Sequence, residues 1–256
     1  MNQSLKTEAL VLHSMRWSES SKIVQLFTAE RGLFKAIARG ALRPKSQFRG
    51  VLENLNHIEI IAGIKETRDL QIISQTAMLN TFSRLREDLD GTAVAYSMAE
   101  LLRKFIHENE ASHPIFRFTI QTLEMLDQPS LDHSLIYLIR YVFFLSDYLG
   151  FGWDVQRCRN CGKTPDRFPV RTDIINGSIV CGNCISHSEV SGFNLSKLQW
   201  RLCFRLQQMT PAELPELIQK IPEDMAYRSI LDLLISHLNY HTDQSFQLKS
   251  LNMFLP

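Results

Sequence analysis

The chain has 256 residues, 45% of them hydrophobic, which is enough for one large domain or two to three small ones with packed cores. Its 28 basic and 27 acidic side chains almost cancel, so the overall charge of +1 gives no indication of a nucleic-acid partner. The charge is uneven, however, with a net +4 in residues 1–80, −5 in residues 81–155 and +2 in residues 156–256. Such asymmetry indicates separate domains with separate partners.

Membrane insertion and secretion are both disfavoured by the sequence. No apolar run approaches the roughly 20 residues of a membrane span, and the first residues lack the apolar core and cleavage site of a signal peptide. We therefore expect a cytoplasmic protein with no membrane partner. In that compartment the five cysteines are interpreted as thiols or metal ligands rather than as disulfides.

The first 80 residues have the pattern of a small β-barrel. Apolar and polar residues alternate in five short runs that are separated by turn residues. Five short strands at this spacing are typical of a small antiparallel barrel, and an oligonucleotide-binding (OB) barrel is the favoured type. The predicted strands span residues 5–13, 22–28, 33–39, 51–61 and 69–75.

Beyond residue 80 the apolar spacing changes to that of helices. Residues 131–149 are apolar around most of the helix circumference, so we expect this helix at the centre of a bundle, ended by Gly150 and Gly152. Asn194 and Ser196 are alternative caps of a later helix, and residues 247–256 are predicted to be extended. The predicted helices span residues 84–110, 115–127, 131–149, 193–209, 211–220 and 224–241.

Four cysteines have the spacing C-x2-C-x19-C-x2-C, which is typical of zinc sites. Two cysteines three residues apart on a tight turn can direct both thiolates at one ion, and two such turns complete a tetrahedron. Gly162 and Gly182 ease these turns, and strand-like residues flank a turn at Asn176–Gly177 between the pairs. We therefore predict a zinc ribbon in residues 156–190 that holds one structural Zn2+. The predicted ligands are Cys158, Cys161, Cys181 and Cys184.

Other interpretations of the cysteines stay open. The four thiols could form a degenerate site or act as redox groups, although a redox C-x-x-C motif normally follows a strand in a βαβ unit. A catalytic zinc ion keeps an open coordination position, whereas four thiolates close the shell. His187 is interpreted as a surface residue and Cys203 as a core residue, so neither is expected to be a ligand.

A basic stretch runs through the predicted barrel. Between Arg16 and Arg49, eight basic residues are opposed by only two acidic ones, and aromatic residues are interleaved with them. Cations and aromatic rings on one face suit a nucleic-acid backbone and its bases. A solvated basic face without a ligand is the alternative, and Trp17 and Phe34 could instead fill the barrel core. The interleaved aromatic residues are Trp17, Phe34 and Phe48.

Several segments together resemble the RecO family of bacterial recombination mediators. They are W-S-E-S-S, F-T-x-E-x-G and A-R-G-A-x-x-P-K-S in the first 46 residues, then D-Y-L-G-F-G-W, the two cysteine pairs and a terminal L-K-S-L. Their order and spacing agree over essentially the whole chain. The resemblance implies an α+β multidomain protein. It would have an N-terminal OB-fold β-barrel (1–80), an all-α helical bundle in two parts (81–155 and 191–256) and an inserted zinc ribbon with four cysteine ligands.

The resemblance also implies a function in recombinational DNA repair. RecO-like proteins bind single- and double-stranded DNA, anneal complementary strands and, with RecR, help to load RecA onto DNA coated with the single-stranded-DNA-binding protein. A cytoplasmic, nucleoid-associated location is implied as well. The basic N-terminal positions of the family are expected to contact phosphates, and here they match Lys22, Arg39, Arg43, Lys45 and Arg49.

A second site implied by the resemblance binds the C-terminal tail of the single-stranded-DNA-binding protein on the helical domain. Arg140 lies where a basic residue for that tail is expected, and an arginine there could pair with the terminal carboxylate. An arginine that extends to the surface or forms a structural ion pair is the alternative.

Two other classes of function compete with DNA binding. An enzyme is not indicated, because P-loop, H-E-x-x-H and G-x-S-x-G motifs are missing and the histidines are scattered. A zinc-containing protein-interaction scaffold without intrinsic annealing is the stronger alternative, because the acidic residues of 81–155 suggest a separate protein partner.

Overall fold

A computed structural model describes residues 3–129, 133–190, 192–222 and 227–254. The chain divides into two compact units, the first formed by residues 1–130 with 248–256 and the second by residues 131–247. The domain boundaries predicted near residues 80, 155 and 190 stay predictions, since neither unit begins or ends at them.

Five strands of the first unit close into a barrel: β1 Gln3–Trp17, β2 Ser21–Thr28, β3 Gly32–Ala38, β4 His57–Ile64 and β5 Gln71–Asn80. The first part of β1 pairs antiparallel with β4, and its second part pairs antiparallel with β2. The barrel closes because β5 pairs antiparallel with β4 and parallel with β3. The strand order β1-β2-β3-β5-β4 confirms the predicted OB barrel.

One strand prediction was wrong at its start, because residues 51–56 precede β4 without pairing as a strand. Leu52 and Leu55 are buried, and the backbone N–H of Leu55, at a φ of +66°, donates to the carbonyl oxygen of Val11 at 2.7 Å. The alternating apolar residues therefore close the end of the barrel instead of extending a ladder.

Helices occupy much of the described chain after the barrel: α1 Leu89–Phe105, α2 His113–Leu126, α3 Ser134–Tyr148, α4 Lys197–Leu206, α5 Leu214–Ile218, α6 Tyr227–Thr242 and α7 Lys249–Phe254. The first six match predicted helical segments, and all except α2, which begins two residues before its predicted start, are shorter than predicted. For example, α1 begins at residue 89 because the side chain of Asp88 caps it, accepting from the N–H of Gly91 at 2.7 Å. Parts of three predictions, residues 131–132, 224–226 and 255–256, lie outside the described residues.

The extended tail predicted for residues 247–256 was wrong, because α7 forms there. The carboxylate of Glu100 on α1 accepts hydrogen bonds from the N–H groups of Lys249 and Ser250, both at 2.9 Å, and so caps the start of α7. Leu251 is fully buried on the other face of this short helix. The cap comes from a residue far away in sequence, so local pattern alone does not indicate the helix.

In the second unit, α3 is buried around most of its circumference, as its apolar sequence predicts, and it packs against α4, α5 and α6. Gly150, at a φ of +83°, follows the end of α3. Of the two predicted caps, Ser196 caps α4 in a reciprocal capping box with Gln199, whereas Asn194 lies in a short strand. Neither α3 nor any other helix of the described chain is long and apolar enough to cross a membrane.

Four short strands in the second unit form the sheet that carries the cysteine pairs: β6 Asp154–Cys158, β7 Val170–Asp173, β8 Ser178–Val180 and β9 Asn194–Leu195. The hairpin of β7 and β8 turns at the predicted Asn176–Gly177, and β6 pairs in parallel with β8. Gly177 has a φ of +56°, and a Cβ there would lie 2.8 Å from the carbonyl oxygen of Gly152. Only glycine fits this turn without strain.

Candidate nucleic-acid interface and metal site

The segment between β3 and β4, residues 39–56, folds over one end of the barrel. Phe48 and Leu52 enter the barrel core, which anchors the segment by burial of apolar surface. On one side the N–H of Leu42 donates to the carbonyl oxygen of Ser20 at 2.9 Å. On the other side the amide of Gln47 donates to the carbonyl oxygen of Ser74 on β5 at 2.9 Å. The segment is therefore fixed in place although it contains no regular helix or strand.

This segment, which we call the basic cap, presents four of the five predicted phosphate contacts to solvent: Arg39, Arg43, Lys45 and Arg49. None of the four has an acidic partner at ion-pair distance among the described residues. Arg49 reaches only the carbonyl oxygen of Pro44, at 3.5 Å. Uncompensated positive charges so close together create a local potential that attracts phosphates.

Lys22 differs from the other four cations. Its side chain is only 16% exposed, and its ammonium group lies 2.8 Å from the carboxylate of Glu53. The ion pair compensates the charge of Lys22 and connects β2 to the basic cap. Its predicted phosphate contact stays a prediction, and the pairing favours a part in holding the cap.

The three interleaved aromatic residues separate into two groups. Phe34 and Phe48 lie in the barrel core and are almost fully buried, so they cannot stack on a ligand. Trp17, at the end of β1, is 52% exposed, and the interpretation that it fills the core was wrong. One of the three rings is therefore available to a partner.

The four predicted zinc ligands converge in the second unit. Their Sγ atoms all lie within 4.8 Å of one another, and those of Cys161 and Cys181 are 3.9 Å apart. A tetrahedron with Zn–S bonds of about 2.3 Å has S–S edges of about 3.8 Å, so a small contraction would fit the cluster around one ion. The four cysteines can thus bind a metal ion, and four sulfur ligands leave no open position for a substrate.

The electrostatics of the thiols also suit a cation. Burial opposes ionisation of Cys158, but N–H groups of Cys181, Cys161 and Asn160 donate to its sulfur and lower its pKa to about 6. The interaction with the Cys181 thiol raises the pKa of Cys184 to about 12. One thiolate forms easily, and a cation would be needed to stabilise the remaining negative charges.

Each cysteine pair lies on a tight turn held by the backbone. The N–H of Gly162, at a φ of +71°, donates to the carbonyl oxygen of Cys158 at 2.8 Å. In the second turn the N–H of Cys184 donates to the carbonyl oxygen of Cys181 at 2.9 Å. The positive φ of Gly162 agrees with its predicted role in the first turn, whereas Gly182 is needed because a Cβ there would lie 2.8 Å from the carbonyl oxygen of Arg167, outside the cysteine turn.

The two residues excluded as ligands lie where the sequence predicts. His187 is exposed, and Cys203 is buried inside α4, outside the cysteine cluster. Burial raises the pKa of the Cys203 thiol to about 12, so this residue behaves as an apolar core side chain.

An ion pair that sequence reasoning missed supports the first cysteine turn. Arg159 pairs with Asp173, which is buried at the end of β7. The amide of Asn176 donates to the same carboxylate at 2.8 Å, so Asp173 joins the hairpin turn to the cysteine turn. The sequence places an acidic residue, Asp173, shortly before the Asn–Gly turn, but it does not show that Arg159 is the partner of this residue.

Arg140, the predicted contact for a partner tail, is almost fully buried on α3. Its guanidinium group donates to the carbonyl oxygen of Met209 and lies 5.6 Å from the ring centroid of Phe144. Burial lowers the pKa of Arg140 to about 10, while the carboxylates of Asp147 and Glu213 act in the opposite direction. Extension to the surface, one half of the alternative interpretation, does not match this burial. The other half, a structural ion pair, and the predicted contact with a partner tail both stay predictions.

Comparison with known proteins gives matches over most of the chain. Residues 1–82 match the family described as Recombination protein O N terminal, and residues 86–251 match Recombination protein O C terminal. A DNA repair protein RecO from Caldanaerobacter subterraneus is 27% identical over 254 residues, which cover 98% of each chain. Another from Thermoanaerobacter sp. is 31% identical over 180 residues, 70% of this chain and 71% of that protein. The match to a third, from Prosthecochloris aestuarii, has 29% identity and covers 62% of this chain but only 60% of the relative.

Proposed function

The chain belongs to the Recombination protein O family of DNA repair proteins, and we propose that it binds single- and double-stranded DNA through the basic cap of its OB barrel. The exposed cations of the cap, which lack acidic partners in the described chain, carry this proposal. Both forms of DNA present the same phosphates, so contacts of this type do not depend on base sequence.

Annealing of complementary strands follows from the same electrostatics. Two DNA strands repel each other through their phosphates, and a surface with several free cations lowers that repulsion when both strands bind. Phosphate contacts leave the base edges free to pair. We therefore propose that the protein anneals strands by charge compensation and not by chemical catalysis.

The family further supports a role as a mediator that acts with partners. We propose that the protein acts with RecR in loading RecA onto DNA coated with the single-stranded-DNA-binding protein. The acidic tail of that protein would bind the second unit near Arg140, whose guanidinium group lies beside the ring of Phe144. Titration of a labelled peptide of that tail against the protein tests this contact.

The cysteine cluster is proposed to bind one structural Zn2+. Thiolate ligands select soft or borderline metals, and the two turns bring four sulfur atoms together, as the tetrahedral shell that zinc prefers requires. When bound, the ion would stabilise the four-stranded sheet, and its closed shell supplies no activated water. We therefore propose a binding protein rather than an enzyme.

Charge reversal of the basic cap tests the DNA interface. In a variant with Arg39→Glu, Arg43→Glu and Lys45→Glu, we expect affinity for single-stranded DNA to fall about tenfold or more at low salt, because three phosphate contacts are lost. The dependence of log K on log salt concentration should become shallower by about 2, since each phosphate contact on a single strand contributes about 0.7. Fluorescence anisotropy over a salt series measures both quantities.

A matched control reverses the same number of charges elsewhere in the first unit. Arg103, Lys104 and Arg117 are exposed on α1 and α2, and their reversal should leave affinity and salt slope within about twofold of the native protein. Equal losses in the two variants would mean that net charge, and not the basic cap, determines binding. If the native protein showed no DNA binding even at low salt, the interaction scaffold would become the better description.

A further inference from the structure

Two residues of the first cysteine turn, Arg159 and Asn160, connect that turn to two other parts of the second unit. They lie between Cys158 and Cys161, so each side chain leaves the backbone next to a predicted metal ligand. Arg159 reaches the β7–β8 hairpin, whereas Asn160 reaches the segment that follows the second cysteine pair. We call this set of contacts the side-chain clasp. Its members are Arg159, Asn160, Asp173, Asn176 and Ser188.

One arm of the clasp ends on a buried carboxylate. Asp173, which is only 4% exposed, pairs with the guanidinium group of Arg159. The same carboxylate accepts hydrogen bonds from the backbone N–H of Asn176 at 3.2 Å and from its side-chain amide at 2.8 Å. The backbone N–H of Arg159 also donates to the carbonyl oxygen of Ile179 on β8 at 2.9 Å. A buried charge is tolerated only where its partners stay in place, so Asp173 fixes Arg159 and the cysteine turn that carries it.

The other arm joins the two cysteine turns to each other. The side-chain amide of Asn160 donates to the hydroxyl oxygen of Ser188, and that hydroxyl donates to the carbonyl oxygen of Cys184 at 3.0 Å. A continuous chain of hydrogen bonds thus runs from the first turn to a predicted ligand in the second. Asn160 is exposed, so water competes for these hydrogen bonds and this arm is weaker than the buried ion pair.

The turn that the clasp fixes also supplies hydrogen bonds to a sulfur atom. The backbone N–H groups of Asn160 and Cys161 donate to the sulfur of Cys158, and the N–H of Cys181 donates to it across the cluster at 3.3 Å. Hydrogen bonds of this kind orient a thiolate ligand and stabilise its charge, provided that the donors stay in place. Movement of the first turn would therefore weaken the binding of a metal ion by Cys158.

We propose that the side-chain clasp positions the two cysteine turns and thereby determines how long the cluster retains its metal ion. The proposal rests on the proposed zinc site and assigns positioning residues to it. When one sulfur dissociates from the ion, turns that are held together keep it close enough to bind again before the ion escapes. Replacement of residues that orient metal ligands typically weakens metal binding by about 10- to 100-fold.

The experiment measures the release of zinc from the zinc-loaded full-length protein to an excess of the coloured chelator pyridylazoresorcinol. The Arg159→Ala and Asp173→Asn variants should each release zinc about tenfold faster or more. Their combination should be no faster than the faster single variant, because both changes remove the same ion pair. Asn160→Ala should accelerate release about threefold, since its hydrogen bonds are exposed to water.

A matched control and a conservative variant separate positioning from a general change in charge. Arg157 precedes Cys158, is exposed and has no acidic partner at ion-pair distance in the described chain, so Arg157→Ala should leave the release rate within about twofold. Arg159→Lys keeps the charge but loses the planar guanidinium group, and its rate should lie between those of the native protein and Arg159→Ala.

Loading with cobalt shows whether each variant assembles the site. The native protein and the variants should all give the visible absorption of tetrahedral cobalt with sulfur ligands before release is timed. Where Arg159→Ala or Asp173→Asn fails to give this spectrum, the test rests on Asn160→Ala and Ser188→Ala, which alter only the more exposed arm. Unchanged release from both of these variants would then overturn the clasp.

The remaining outcomes distinguish this inference from the proposed zinc site. Equal release rates of the native protein, Arg159→Ala and Asn160→Ala would overturn the clasp while leaving the zinc site in place. Acceleration by Arg157→Ala as large as that by Arg159→Ala would overturn it too. A native protein that bound neither zinc nor cobalt would contradict the proposed zinc site, and the clasp with it.

Discussion

His237 on α6 is buried, and its surroundings act on its pKa in opposite directions. Its Nδ1 lies 2.6 Å from the carbonyl oxygen of Ile174, and its Nε2 lies 2.7 Å from that of Phe151. A neutral ring can donate to only one of these acceptors. Burial nevertheless lowers the pKa of His237, and the nearby His241 ring acts in the same direction, while the two carbonyl oxygens oppose them. The loss of hydration dominates, so the folded protein favours the neutral ring.

The lowered pKa predicts a pH-dependent stability of the second unit. Because the unfolded state binds a proton more readily than the folded state, this residue makes the free energy of unfolding fall as pH drops through and below its ordinary value of 6.5. In a His237→Gln variant the decline between about pH 8 and about pH 5.5 should be shallower. Urea titrations of both proteins with excess zinc, repeated at a series of pH values, measure the free energy of unfolding. Parallel pH profiles of the native protein and the variant would refute the assignment of this pH dependence to His237.

Some strands and turns of this protein are determined by the local sequence pattern, whereas others depend on contacts with residues that are distant in sequence. Period-two alternation was sufficient to locate β2 and β3, because buried residues alternate with more exposed ones along most of each strand. The same alternation at 51–56 reflects burial of Leu52 and Leu55 at the barrel end without strand pairing, and pattern alone cannot separate these cases. The cysteine cluster was predictable because its spacing encodes two turns.

The start of the terminal helix α7 is capped by the side chain of Glu100, which lies far away in sequence, and this cap can be tested by mutation. Replacing Glu100 by Ala removes the acceptor of two backbone N–H groups and of the Ser250 hydroxyl. We expect a loss of about 1–2 kcal/mol in the free energy of unfolding of the first unit, similar to the loss of a strong N-cap. Replacement of Glu124, an exposed residue of α2, by Ala is the control and should change stability by less than about 0.5 kcal/mol. Urea denaturation measures both, and equal effects would mean that Glu100 does not cap α7.

At the scale of the whole molecule, the two candidate sites belong to different units. The basic cap lies in the first unit, and the four cysteines lie in the second. Counting charges along the sequence separates a basic N-terminal part from the rest, but the count does not show which basic side chains lack an acidic partner. The ion pair of Lys22 with Glu53 shows why, since the partner comes from a distant part of the chain. The proposed DNA contact and the proposed metal site thus depend on different residues and can be tested separately.

Removal of zinc should therefore affect the two units differently. Without a cation the four sulfurs, all within 4.8 Å of one another, no longer hold the two cysteine turns together. We expect a chelator, or a Cys158→Ser substitution, to lower the melting temperature of the second unit, while affinity for single-stranded DNA stays within about twofold because the basic cap is unchanged. Calorimetry and anisotropy on the same full-length sample measure the two effects, and Cys203→Ser, which alters a buried thiol outside the cluster, controls for loss of a core sulfur. If chelation abolished DNA binding while the helical circular-dichroism signal persisted, the metal would have to take part in the DNA interface, and the assignment of binding to the barrel would fail.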